Sequence, residues 1–584
     1  MQLKRIHLAN FQSIRGPVTI DLAPLTLLYG PNSAGKSAVA DAIDLASEIL
    51  VSTGSLDHAQ KWLHRRDSSQ RMVLGFGGSQ HWEVEHTLRM LELSRLVGAP
   101  IGVYADSGLQ LPLHVAERLF WERPYEAAGE GHAGREECEL DVTVELAFRS
   151  GVPTLDTVSI VVDGAMLATL SRAGHEVTVA LDHPKFCKAN ALLSEKRELG
   201  KLANDVRGLL PEAHRDLVQW TDSRLRVSAL FSPIVQLGLA DGFTTGLPGL
   251  EQTGTWISVP EYSDDNLSSL LLDELYGAGK DLTAVNRLRE FLCGLILIPA
   301  RIVGATARRM LRLGPLREVP SASDLAGWGR ASASDVSEQP MRSDWVRGRS
   351  AWFELTRDKQ VPTWPTETDT HPEEPLVQVV NEWLTPVQRL NMGYELRVVR
   401  YSTVFESGQA PVDLPAGYPK DGVRQSAVYL WDRTLQLPVA PDDVGTGVAQ
   451  VVPVLAALAS ESLSFIEQPE LHLHPRLQAQ LADFVISRVQ LAQRLERTFL
   501  CLIETHSEHL ALRVLRRIRD TARSDVHHRD CSLTPSDVAF YYFEPRDGET
   551  QVHHIRVDLQ GRFVDRWPRG FFDERSEDLF DDAD

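Results

Sequence analysis

Apolar positions along the chain fall into two rhythms, one of strands and one of helices. Residues 3–8 and 18–22 alternate in the manner of short strands, and Leu25, Leu27 and Leu28 extend into a third. Similar alternation marks 139–148, 157–162 and 176–181, while 192–209, 264–276 and 284–297 carry helical spacing. The run 295–301 reads as a buried strand. In the last third a glycine-led segment opens a helix with an apolar face reaching Leu458, 462–466 reads as a buried strand, and 476–495 is amphipathic through Leu477, Leu481, Phe484, Val485 and Val489. Residues 498–503 and 537–543 are further strand candidates. Strands alternating with helices of this length predict an α/β fold with a mostly parallel sheet flanked by helices.

One junction in this pattern carries chemistry. Leu28-Tyr29 runs into Gly30-Pro31-Asn32-Ser33-Ala34-Gly35-Lys36-Ser37, and the helix-forming run 38–43 follows. Strand, glycine-bounded loop and helix in that order are what a P-loop of pattern G-x-x-x-x-G-K-[ST] requires. Gly30 and Gly35 free the backbone to curl, so that the N–H groups between them face phosphate oxygens. The helix start adds positive potential, Lys36 supplies a point charge for the β and γ phosphates, and the Ser37 hydroxyl suits Mg²⁺. ATP with Mg²⁺ is therefore the expected ligand.

A second group of residues completes the constellation. Glu467 closes the strand read over 462–466, where a carboxylate can serve the metal beside Ser37 in a Walker B role. Gln468 follows where a base is expected; glutamine can orient a water but cannot accept a proton as a carboxylate does, and Glu470 is the alternative. His506 directly follows another apolar strand, so its imidazole is expected at the same sheet edge, near the γ-phosphate or the attacking water. Gly445-Thr446-Gly447 is either a plain glycine-rich helix start or a second anion cradle. As a cradle it would close over the ATP of a partner subunit, because one nucleotide cannot easily use two helix N-termini of one chain.

Length and charge narrow the setting. A chain of 584 residues is too long for one core, and no apolar run approaches the length that spans a bilayer. The opening Met1-Gln2-Leu3-Lys4-Arg5 leads into a strand pattern and not into a signal peptide, so a cytoplasmic protein with no membrane partner is expected. A net charge of −20 argues against a wholly basic nucleic-acid coat but leaves room for a local basic groove, and so for DNA as a partner. The arginines between 308 and 317 are either a solvated helix face or a phosphate-holding cluster. Five scattered cysteines predict no disulfide framework. The pairs His472/His474, His527/His528 and His553/His554 lack further ligands at zinc spacing.

Taken together, Asn10-Phe11-Gln12-Ser13, Gly30 to Ser37, residues 443–450, 466–475 and Glu504-Thr505-His506-Ser507 resemble ABC-type ATPase heads of the RecF and SMC group. They resemble still more closely the AAA-type ATPases related to the overcoming-lysogenization-defect family, including ATPase subunits of Septu-, Gabija- and PARIS-like anti-phage systems. Residues 561–573 look like the C-terminal extension of an uncharacterised branch of these ATPases. The resemblance implies a homodimer, or a higher even-numbered assembly, with two ATP molecules between P-loop and signature loop. It also implies a role in phage defence or DNA maintenance beside an effector such as a nuclease. Ala449 stands where related sequences often have serine, and Gln468 where many heads have the catalytic glutamate, which leaves slow turnover or a non-hydrolysing scaffold as the alternative. No nuclease motif is evident. The expected division is 1–55 and 436–525 as the two parts of the ATPase core, 56–290 as an inserted α+β lobe, 291–435 as a connecting region and 526–584 as an extension with an acidic tail.

Overall fold

The computed structural model describes residues 1–51, 69–80, 138–149, 152–171, 176–184, 190–210, 212–228, 283–321, 342–357, 359–365, 372–403, 423–523 and 531–568. The expected helix over 264–276, the pair His527/His528 and the acidic tail lie outside them. The chain forms two compact units, one of residues 1–21 and 41–309, the other of 22–40 and 310–584.

The first unit is built on a nine-stranded antiparallel sheet. Its order is Val18–Asp21, Gln2–Ala9, Met72–Gln80, Cys138–Arg149, Val152–Val162, Ala165–Ser171, Glu176–Ala180, Arg224–Ser228 and Val218–Trp220. Burial alternates residue by residue in strands such as Glu176–Ala180, as expected where one face meets a core and the other meets water. The N-terminal strands, expected to accompany the P-loop, are part of this sheet, so the division differs from that read off the sequence. A second correction concerns 295–301, read as a strand: it lies within the helix Thr283–Arg308, which contains Pro299. A short apolar run cannot be told from a buried helical segment by pattern alone. The longer spacing Leu288, Leu292, Leu295, Ile296, Ala300, Val303 and Ala307, all buried, is helical.

The second unit holds a six-stranded sheet in the order Leu311–Leu313, Leu463–Glu467, Leu500–Glu504, Leu25–Tyr29, Val538–Arg546 and Glu549–Ile555. Its first four pairings are parallel and the last is an antiparallel hairpin. Parallel pairing is confined to this sheet, the one that carries the P-loop strand, and over the described residues taken together antiparallel pairs dominate. Every residue of Leu25–Tyr29, Leu463–Glu467 and Leu500–Glu504 is buried. These near-continuous apolar runs are what strands covered on both faces need. The helices Thr446–Ser460, Pro475–Arg494 and Glu508–Ala522 contribute to the same core.

Two devices fix where these helices begin. His474 caps Pro475–Arg494, its Nδ1 accepting the Arg476 N–H at 3.3 Å with Pro475 in the first turn. Ser507 caps Glu508–Ala522, its Oγ accepting the Leu510 N–H at 3.0 Å. Because each cap follows within a few residues of a strand end, both chain reversals occur at the carboxyl edge of the sheet.

Candidate nucleotide-binding site

The P-loop leaves the carboxyl end of Leu25–Tyr29 and enters the helix Lys36–Val51. Gly30 adopts φ +144°, and a Cβ there would lie 2.5 Å from the Phe543 carbonyl oxygen, so both backbone and space demand glycine. Ser33 and Gly35 also have positive φ, which curls the loop. Ala34 is fully buried, and its carbonyl accepts the Thr550 hydroxyl at 2.8 Å, tying the loop to the C-terminal hairpin.

Lys36 is 3 % exposed, and its Nζ donates to the Gly30 and Pro31 carbonyls at 3.0 and 2.9 Å. Burial lowers its pKa, and the nearby Glu504 opposes that shift. Glu504 Oε1 lies 3.7 Å from Lys36 Nζ, and Glu504 Oε2 accepts the Ser37 hydroxyl at 2.7 Å. A cation and a hydroxyl that suit phosphate and metal are thus held beside one carboxylate.

Glu467, the acid expected to serve the metal, is held differently. Its Oε1 accepts from Arg312 Nε at 2.8 Å, across the parallel pairing of Leu311–Leu313 with Leu463–Glu467. Arg317 is buried and donates to the carbonyls of Glu467 at 2.7 Å, Gln468 at 3.1 Å and Gln450 at 3.4 Å. Burial brings its pKa down to about 10. Arg312 and Arg317 are therefore not a solvated helix face: Arg312 holds the Glu467 carboxylate and Arg317 pins the turn after it. Gln468 sits in that turn at φ +45°, its N–H donating to the Glu504 carbonyl at 2.7 Å.

Glu470 and His506 meet at the ends of adjacent strands. Glu470 Oε1 accepts the His506 N–H at 2.8 Å, while Glu470 Oε2 and His506 Nε2 are buried without hydrogen-bond partners. Burial raises the Glu470 pKa, and burial together with the Lys36 charge lowers that of His506 to about 4. At neutral pH the imidazole is uncharged. The local backbone is fixed by Tyr29, whose hydroxyl donates to the Ser507 carbonyl at 3.0 Å.

Gly445 and Thr446 are exposed at the start of Thr446–Ser460, with Gly445 as its N-cap. Gly447 is closely backed, since a Cβ there would lie 3.0 Å from the His472 carbonyl oxygen. Among the described residues, no group of three or more His, Cys, Asp or Glu is arranged to hold a metal ion. The Ser37 hydroxyl with strand-end carboxylates fits Mg²⁺ arriving with a nucleotide, since that ion keeps several waters and takes one or two carboxylates plus phosphates.

Sequence reading passed over Glu504, Arg312, Arg317 and Thr550 as site residues. Glu504 carried a signal: it stands two residues before His506 at the end of an apolar strand. The arginines stood out only as a cluster whose acceptors the sequence could not name, and Thr550 carried no signal, because their partners are backbone groups and side chains remote in the chain.

Residues 5–48 match a family model described as "AAA domain", and 371–513 match one described as "AAA domain, putative AbiEii toxin, Type IV TA system". The first of these matched segments contains the P-loop, and the second contains Glu467, Glu470, Glu504 and His506. Residues 533–581 match the family described as "Protein of unknown function (DUF3696)", which takes in the hairpin that reaches Ala34. No curated protein matches the chain. Among solved structures, an SMC head bound to the C-terminal winged-helix domain of ScpA is similar at TM-score 0.33 and 9 % identity, covering 95 % of this chain and 98 % of that one. A Pyrococcus furiosus SMC head with an extended coiled coil, bound to the C-terminal domain of ScpA, gives 0.31 and 10 %, covering 95 % and 96 %. The SMC head domain from Thermotoga maritima gives 0.30 and 8 %, covering 95 % and 100 %. Among the described residues no helix is long and apolar enough to cross a membrane.

Proposed function

We infer that this chain binds and hydrolyses Mg²⁺-ATP and acts as a nucleotide-dependent dimerising switch. The observation that carries the reading is the convergence of Lys36, Ser37, Glu470 and His506 on the carboxyl edge of one sheet, with two buried polar atoms left open there. Lys36 would exchange its loop carbonyls for β and γ phosphate oxygens, and Ser37 would face the metal. Mg²⁺, when bound, neutralises phosphate charge. Glu470 Oε2 is the acceptor that can orient a water and take its proton, and neutral His506 can hydrogen-bond the γ-phosphate or that water. The helix start at Gly445-Thr446-Gly447, exposed at Gly445 and Thr446, supports a role in trans, over the nucleotide of a second copy. An effector such as a nuclease, with DNA as a further partner, in phage defence or DNA maintenance, is the setting that the motif resemblance suggests.

Gln468 favours a second reading, in which ATP is held with little turnover and the closed dimer keeps an effector inactive. Steady-state ATP hydrolysis by the full chain with Mg²⁺, measured beside light scattering with and without ATP, separates the two. Turnover that Lys36→Ala abolishes, with dimers appearing on ATP addition, supports the switch. Tight binding and ATP-induced dimers without turnover select the scaffold, and absence of ATP binding overturns both.

A further inference from the structure

Two acidic strand ends lie along the nucleotide edge of the six-stranded sheet, and different groups already hold them. Glu467 Oε1 receives Arg312 Nε at 2.8 Å, and its main-chain carbonyl receives Arg317. Glu504 turns its carboxylate to the P-loop, with Oε2 2.7 Å from the Ser37 hydroxyl and Oε1 3.7 Å from Lys36 Nζ. The sheet order explains the difference. Glu504 pairs in register with Leu28 of the P-loop strand, whereas Glu467 pairs with Glu504 and so lies one strand, about 5 Å, further out.

We propose that Glu504, and not Glu467, is the carboxylate that serves the Mg²⁺ of a bound nucleotide, acting through the Ser37 hydroxyl. The inference rests on the ATP-site reading above and names the acid within it. A serine that offers a lone pair to a cation must direct its proton elsewhere, and Glu504 is the acceptor in place to receive it. Its negative charge then favours the cation. Without metal the same charge has the opposite effect, because it competes with phosphate for Lys36 and repels the triphosphate. Glu504 therefore ties nucleotide affinity to the metal, strengthening metal-loaded binding and weakening metal-free binding.

That double sign is measurable without catalysis. Equilibrium binding of a fluorescent ATP analogue to the full chain, in EDTA and in Mg²⁺, gives the gain in affinity that the metal confers. In Glu504→Gln the metal-free affinity should hold or rise while the Mg²⁺-dependent gain falls by roughly tenfold or more. Ser37→Ala should lose the same gain, and the double variant should lose no more than either single one. Glu467→Gln should lose less. A gain untouched by Glu504→Gln, or lost chiefly in Glu467→Gln, overturns the proposal while leaving the ATP site standing. If the wild type binds no analogue, or Lys36→Ala binds it equally well, the ATP-site reading itself fails, and this one with it. Should Glu504→Gln not fold, Glu504→Asp keeps the charge but shortens the reach: a partial loss of the gain is expected, and full retention overturns the proposal.

Discussion

Glu470 Oε1 accepts the backbone N–H of His506 at 2.8 Å, yet the other oxygen of that carboxylate and the His506 Nε2 are buried with no partner. A buried polar atom left unpaired costs about 1–3 kcal/mol, so each of the two is a cost that a bound water would relieve. The arrangement is poised for an occupant with both donor and acceptor character. Glu470→Gln keeps the shape and removes the proton acceptor. It is expected to lower kcat by roughly 10²–10³ while ATP affinity stays close to that of the wild type, measured by steady-state turnover beside equilibrium binding. An unchanged kcat would move the base elsewhere.

The depressed pKa of His506, from its ordinary 6.5 to about 4, links protonation to stability. Between those values the unfolded chain binds a proton that the folded chain excludes, so stability from this group rises with pH across the window and is lost as pH falls through it. Chemical denaturation of the wild type and of His506→Gln at pH 4.5, 5.5 and 7 checks this. The variant is expected to lose less stability on acidification than the wild type, and parallel pH profiles would rule the assignment out.

Asp483 joins two helices through ion pairs to a buried Arg517 and a half-buried Arg513. It accepts Arg517 Nε at 2.7 Å, Arg517 Nη2 at 2.9 Å and Arg513 Nη1 at 2.6 Å. Arg517 is 7 % exposed and would keep only Asp520, 3.7 Å from its Nη1, so Asp483→Ala leaves a buried guanidinium poorly compensated and should destabilise the fold by about 3 kcal/mol. Replacing Asp483 and Arg517 together with leucine and methionine should recover much of that loss. Urea titrations of the three proteins give the comparison.

Arg317 offers a test of how the turn after Glu467 is held. Its guanidinium serves three main-chain carbonyls, and Gln450 Nε2 returns a bond to the Arg317 carbonyl at 2.8 Å. Arg317→Met fills much of the space without the donors. A loss of about 2–3 kcal/mol is expected, with reduced turnover, because the Glu467 carbonyl loses its Arg317 donor and the Gln468 carbonyl keeps only the Leu471 N–H. Wild-type turnover in the variant would show that the turn holds itself.

Local sequence by itself determined the strand, loop and helix at Gly30–Ser37, because each requirement there is met by neighbouring residues: glycines for the curl, apolar runs before and after, lysine and serine at the helix start. It likewise determined the strand ends at Glu467 and Glu504, since a fully buried strand shows as a near-continuous apolar run that stops at the acid. The tertiary structure alone decided which acid faces Ser37, because that depends on strand order, and strand order is set by pairings between segments hundreds of residues apart. It decided that Arg312 and Arg317 act inward, since their acceptors belong to a strand end distant in the chain. It also decided that Gln2–Ala9 and Val18–Asp21 pair within the nine-stranded sheet and that 295–301 is helical. A short apolar pattern records how much of a segment is buried, and only the partner it packs against fixes the form and the place in which it is buried.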